Sequence, residues 1–231
     1  MKKNNILSAI LAIIILFGFV LLSQIPISTV LLVNELAKLG VIWGYIGAVV
    51  WALLLYVIIK FTWKYYRKIS GDNDRRIQKG DIGRALVYFF IGRVLAVVFT
   101  LVMQGIYGDG TSANDEAIQG MFTKGTPVVV LLLFSLSISI AAPILEELIF
   151  RGLATHLLFK KTPTWVPMVV TSLAFSGVHQ STNIISFFMY FSLGMLMYHA
   201  YQRRGRIVDS MLFHFFNNLI AGIVLFLASI M

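Results

Sequence analysis

Apolar runs of near-bilayer length, separated by short charged connections, leave this chain few ways to fold. A helix needs roughly 20 apolar residues to cross the hydrocarbon core, because only a helix or a closed barrel satisfies its own backbone there. The runs fall at 6–33, 41–63, 82–106, 126–158, 164–180, 183–201 and 207–230. They predict an all-α fold: a polytopic bundle of about seven transmembrane helices in one integral membrane domain spanning 1–231. Within it, 1–106 reads as accessory helices with a basic loop, and 126–231 as the helical core that carries the chemistry. The first and fourth runs are longer than a bilayer requires, so tilt, bends or extension into water are expected. Pro26 and Pro143 are the candidate bend points, since proline removes a backbone donor.

Charge then orients the bundle. Counted over alternating connections, fifteen Lys and Arg lie on one side and only Lys38 and Lys124 on the other, which predicts a cytoplasmic N-terminus. The basic side comprises Lys2 and Lys3, the group from Lys60 to Arg84, Lys160 and Lys161, and the Arg203–Arg206 turn. Its main hydrophilic stretch, Lys64 to Asp81, could lie on anionic headgroups, but reads first as a topology determinant. On the opposite side, Gly108 to Lys124 reads as a flexible exterior loop. The net charge of +9 does not indicate nucleic acid, because the basic residues are dispersed between spans rather than gathered on one soluble face. Partners are therefore a lipid bilayer and no nucleic acid. With no cysteine, disulfides, a thiolate nucleophile and Cys-ligated zinc are all ruled out. The apolar run after the charged start is too long for the core of a signal peptide and predicts a retained first helix.

Inside this apolar background, ionisable residues stand out because each is costly in hydrocarbon. The fourth span carries Glu146-Glu147-Leu-Ile-Phe-Arg151. Glu147 and Arg151 are four apart and share a helix face, whereas Glu146 is turned by about 100°. A structural ion pair needs only Glu147 and Arg151. The surplus carboxylate, Glu146, is what a general base requires. Later spans add Phe175-Ser-Gly-Val-His179 and His214-Phe-Phe-Asn-Asn218, each with its polar or aromatic pair one turn apart. Two histidines and the carboxylates, on three separate helices, can converge on one water or one metal ion. His156 and His199 lie near helix ends, where water or the helix C-terminus explains them. Arg93 is expected to snorkel or pair internally, and Asp209 to start the last helix beside Arg206. No His-Glu-x-x-His, intramembrane aspartate pair or Walker-type glycine loop is present.

The ordered set Glu146-Glu147-x-x-x-Arg151, Phe175-x-x-x-His179 and His214-x-x-x-Asn218 resembles the CPBP family of intramembrane proteases, the CAAX proteases and bacteriocin-processing enzymes also called the Abi family. The resemblance runs from about Val128 to Ala228 and extends less specifically to Gly194 and the Arg203–Arg206 turn. It implies a multi-pass cell-membrane endopeptidase acting on a peptide or membrane-associated protein, prenylated or bacteriocin-like, near the cytoplasmic face. By that resemblance, Glu146 would be the general base, and His179 would bind or polarise the water. Glu147 and Arg151 would orient Glu146, His214 and Asn218 would stabilise the oxyanion or position substrate, and Phe175 would shape the pocket. Metal-free glutamate catalysis and a zinc ion on His179, His214 and a glutamate both remain open at this level. A non-catalytic immunity or signalling scaffold built on the same polar cluster is the competing class. A small carrier is a third, weakened by the lack of repeated halves.

Overall fold

The structure is a computed structural model and describes residues 2–71, 76–121 and 125–230. Among these residues every regular element is helical. Three long helices open the chain: α1 (Lys2–Lys38), α2 (Val41–Ser70) and α3 (Asp81–Tyr107). A short α4 (Ala113–Gln119) precedes a composite helix over Val128–Leu158, after which come α8 (Trp165–Val178), α9 (Ile184–Gln202) and α10 (Ile207–Ile230). Six of these helices are long and apolar enough to cross a bilayer. The fifth apolar run yields only the 14-residue α8, about 21 Å at 1.5 Å per residue and well short of a hydrocarbon core.

The composite helix is where the chain departs from ideal geometry. It consists of α5 (Val128–Leu136), a π-helical turn at Ser137–Ala141, α6 (Ala142–Glu146), a second π segment at Glu147–Leu153 and α7 (Ala154–Leu158). Pro143 has no N–H for the carbonyl four residues back, and the helix widens on both sides of it. The freed backbone is satisfied from α10: Asn218 Nδ2 donates to the Ile138 carbonyl at 3.1 Å. At Pro26, by contrast, α1 continues as one helix, and Trp51 Nε1 of α2 donates to the Pro26 carbonyl at 3.1 Å.

The hydrophilic stretch expected from Lys64 is helical as far as Ser70, where Gly71 caps α2 in the left-handed conformation; residues 72–75, including Arg75, lie outside the described residues. Lys124 also lies outside them, as do the side chains of Lys2 and Lys3. The stretch expected to be a flexible exterior loop contains α4, whose N-cap Ser112 accepts from the Asp115 N–H at 3.1 Å. Its backbone is used as well, since the Asn114 N–H donates to the Gln180 carbonyl at 3.1 Å.

One end of the bundle is tied by a charge cluster. Asp81, whose side chain is fully buried, binds Arg84 at 2.5 Å, Arg204 at 2.6 Å and Arg206 at 3.0 Å. Asp209 takes Arg204 through Nε at 2.7 Å and lies 3.5 Å from Arg203, while Arg206 stands at 4.0 Å. Arg204 is therefore the main partner of Asp209, in place of the expected Arg206. Hydrogen bonds to Asp209 and then to Asp81 hold the Arg204 guanidinium above its ordinary pKa. The start of α3 is thus locked to the α9–α10 turn, and arginines that read as topology markers also serve as structural partners.

A buried cluster that includes Tyr66, Leu148, Phe150, Phe175, Met197 and Phe213 surrounds the second π segment. Gly152 lies in that segment, where a Cβ would come within 2.8 Å of the Tyr66 ring. Tyr66 is only 1% exposed and cannot swing away. Gly152→Ala is expected to destabilise the protein by about 1–3 kcal/mol through overpacking. A thermal melt in detergent checks this, and an unchanged midpoint would show that the Tyr66 contact is not close-packed.

Candidate active site

Glu147 is the buried anchor of the polar cluster. It opens the second π segment and is fully buried, as is Arg151 one turn on. Arg151 Nη1 approaches Glu147 Oε1 at 3.2 Å, so the pairing expected from spacing is present. The guanidinium also donates to the Gly194 carbonyl at 3.1 Å and lies 4.4 Å from the Phe175 ring centroid. Charge, hydrogen bond and aromatic face together offset part of its desolvation.

A further partner of Glu147 was not visible in the spacing. His214 Nδ1 lies 2.9 Å from the same Oε1. A carboxylate can only accept, so Nδ1 carries a proton and Nε2 is not used in this bond. That Nε2 stands 3.9 Å from Glu146 Oε2, too far for a direct hydrogen bond and close enough for one water to touch both. Glu146 Oε2 is itself buried without a hydrogen-bond partner among the described residues. Glu146 thus keeps an uncommitted carboxylate oxygen, while Glu147 is held by Arg151 and His214.

His179 reaches the cluster by a different local route from the expected one. The fifth apolar run was read as helical to 180, yet α8 ends at Val178 and His179 is extended, with φ −88° and ψ 127°. Contact with Phe175 survives because His179 Nδ1 donates to the Phe175 carbonyl at 2.7 Å and the rings lie 4.4 Å apart. This bond also fixes a tautomer and leaves Nε2 open. Glu146 and His214 both act electrostatically on the imidazole. Phe175 touches His179, His214, Phe150 and Arg151, which makes it the aromatic hub of the site.

Asn218 sits one turn beyond His214, but one Nδ2–H goes to the Ile138 carbonyl, and its Oδ1 accepts from Asn217 at 3.3 Å. Only its second amide proton is uncommitted by these contacts. His156 and His199 stay apart from the cluster, bonded to Tyr201 at 3.1 Å and Tyr88 at 2.8 Å. Arg93 is half-buried on α3. Tyr190 of α9 is the residue that the motif reading omitted: its ring stacks on His179 at 4.7 Å and 25°. A hydroxyl-bearing aromatic within an apolar span was the available signal.

Zinc is testable on the donor set. Catalytic zinc takes three protein ligands at about 2.0–2.2 Å. Among the described residues no three His, Asp or Glu side chains gather closely enough to hold a metal ion. His214 and His179 do have one ring nitrogen tied and the other open, but the third ligand is not drawn in with them. The arrangement does not fit a metal centre, and the chemistry below runs through the side chains alone.

An apolar cleft of about 150 Å³ lies between the composite helix and α10. Ile140, Pro143 and Ile144 line one wall, and Met211, Leu212 and Phe215 the other. Its lining residues are near Glu146 and His214 in the chain, but the polar side chains of the cluster do not line it.

Comparison with known proteins follows the same segment. Residues 128–220 match the family model described as type II CAAX prenyl endopeptidase Rce1-like. The chain is also 27% identical over 206 residues to a Bacillus subtilis (strain 168) protein named "Putative membrane peptidase YdiL", covering 87% of this chain and 76% of that protein. No solved structure matches. Residues 128–220, the segment similar to the Rce1-like CAAX endopeptidase family, hold Glu146, Glu147, Arg151, Phe175, His179, His214 and Asn218.

Proposed function

We propose that this chain is a multi-pass membrane endopeptidase that hydrolyses a peptide bond with a water activated by Glu146. The observation that carries the reading is the buried, unpartnered Glu146 Oε2 facing the open His214 Nε2 at 3.9 Å. Glu146 takes a proton from the water as its oxygen attacks the scissile carbonyl carbon. His179, with Nδ1 committed to Phe175, offers Nε2 to orient that water. The oxyanion receives a hydrogen bond from the remaining Asn218 amide proton, one turn from His214, whose ring Glu147 fixes through Nδ1. Glu146 then delivers its proton to the leaving amine as the C–N bond breaks, giving a carboxylic acid and an amine. Arg151 keeps Glu147 charged and in place.

The basic turns put the site nearer the cytoplasmic side of a cell membrane on this reading, and the core 126–231 carries the chemistry with 1–106 as accessory helices. The apolar cleft between the composite helix and α10 suits a prenyl group or bulky aliphatic residues of a substrate. Mapping the termini of membrane and exported peptides in cells with wild-type or Glu146→Gln protein tests the assignment. A defined set of termini should appear only with wild type. Identical termini at equal membrane levels of both proteins would instead mark a non-catalytic scaffold.

A further inference from the structure

The contact that aligns the His179 ring arises far from the sequence motifs. His179 caps the end of α8 through its backbone N–H, and among the described residues one hydrogen bond, Nδ1 to the Phe175 carbonyl, fixes its ring. A single hydrogen bond leaves rotation about its own axis free. Two aromatic faces remove that freedom: Phe175 on one side at 4.4 Å, and Tyr190 on the other at 4.7 Å and nearly parallel. Tyr190 is 8% exposed, and its hydroxyl is held at the far end. Ser112 Oγ lies 2.8 Å from it, and the hydroxyl donates to Asp115 Oδ1 at 3.4 Å. Because Asp115 N–H donates back to Ser112 Oγ at 3.1 Å, the three groups form a closed ring in which Ser112 donates to Tyr190. The Asn114 N–H on the Gln180 carbonyl adds a backbone tie one residue from His179. Ser112, Asn114 and Asp115, at the start of α4, thus tie to Tyr190 and to the end of α8.

We propose that Tyr190 is a positioning residue for His179, anchored by Ser112 and Asp115 at the start of α4, and that these residues support the catalytic apparatus although they carry none of the reacting groups. The inference rests on His179 acting on the water as described above. Misplacing a reacting group by about 1 Å can cost on the order of 100-fold, so the consequence falls on kcat rather than on substrate binding.

The test uses full-length protein in liposomes and an internally quenched peptide ending in a prenylated cysteine, two aliphatic residues and a variable last residue. Tyr190→Leu, which removes the stacked ring, should lower kcat by about 30- to 100-fold with KM within about twofold. Tyr190→Phe, which keeps the ring and loses the anchor, should lose only about 3- to 10-fold. Ser112→Ala should match it, and the Ser112→Ala/Tyr190→Phe pair should be no worse than either alone, because both cut the same link. A merely structural role would give additive losses that track the melting temperature. Imidazole resonances of 15N-histidine-labelled protein supply a readout that needs no turnover: Tyr190→Leu should move the His179 signal and leave His156 in place. Unmoved His179 resonances, additive losses, or wild-type kcat in folded Tyr190→Leu would overturn the inference. Activity that survives Glu146→Gln would instead overturn the assignment of Glu146 as the base, leaving the resonance measurement to decide on Tyr190.

Discussion

Arg151→Ala should lower stability by about 3–5 kcal/mol, because it strands the Glu147 carboxylate in a site from which water is excluded. For a chain of this size that corresponds to a drop of roughly 6–20 °C in melting temperature. Both side chains are fully buried, and no second cationic side chain of fixed charge stands beside Glu147 among the described residues. The variant also loses the hydrogen bond to the Gly194 carbonyl and the packing on Phe175. Arg151→Lys should recover only part of the loss, since an ammonium cannot reach Glu147, Gly194 and the aromatic face together. Removing both charges should cost less than removing the arginine alone, and the Arg151→Met/Glu147→Leu double variant should melt above Arg151→Ala. Melting curves in detergent measure all three. A midpoint for Arg151→Ala within about 2 °C of wild type would mean that Glu147 is not the buried charge described above.

How far the sequence discloses this site depends on the distance between the interacting residues along the chain. Glu147 and Arg151 are legible because one helical turn relates them, and the wider π geometry still brings them to 3.2 Å. The Glu147–His214 bond joins residues 67 apart, and nothing in either segment's pattern specifies it. Local reading erred where a tertiary contact replaced a helical one. His179 leaves α8 with its backbone extended, and the Gln180 carbonyl that follows takes its donor from the α3–α5 connection. Asn218 spends an amide proton on a carbonyl that the π turn near Pro143 had freed, a need that appears only once the helix widens. Asp81 and Arg204 meet across 123 residues, so the charge count marked Arg204 as a topology residue and did not reveal its partner. The apolar spans themselves were readable because burial in lipid imposes a length and a composition on every helix.

The central claim is that Glu146 is the base, and purified protein in liposomes tests it most directly. Glu146→Gln keeps the shape of the side chain and removes its ability to take a proton. Because Oε2 makes no hydrogen bond among the described residues, the change should leave the melting temperature near that of wild type. Loss of general acid–base catalysis is worth about 10²- to 10⁴-fold, and all of it should appear in kcat, with KM little changed. Cleavage of the prenylated peptide by wild type, with Glu146→Gln slower by at least about 100-fold and equally folded, is the result the account predicts. Cleavage by Glu146→Gln within about threefold of wild type would contradict it, because a catalytic base cannot be removed at so small a cost.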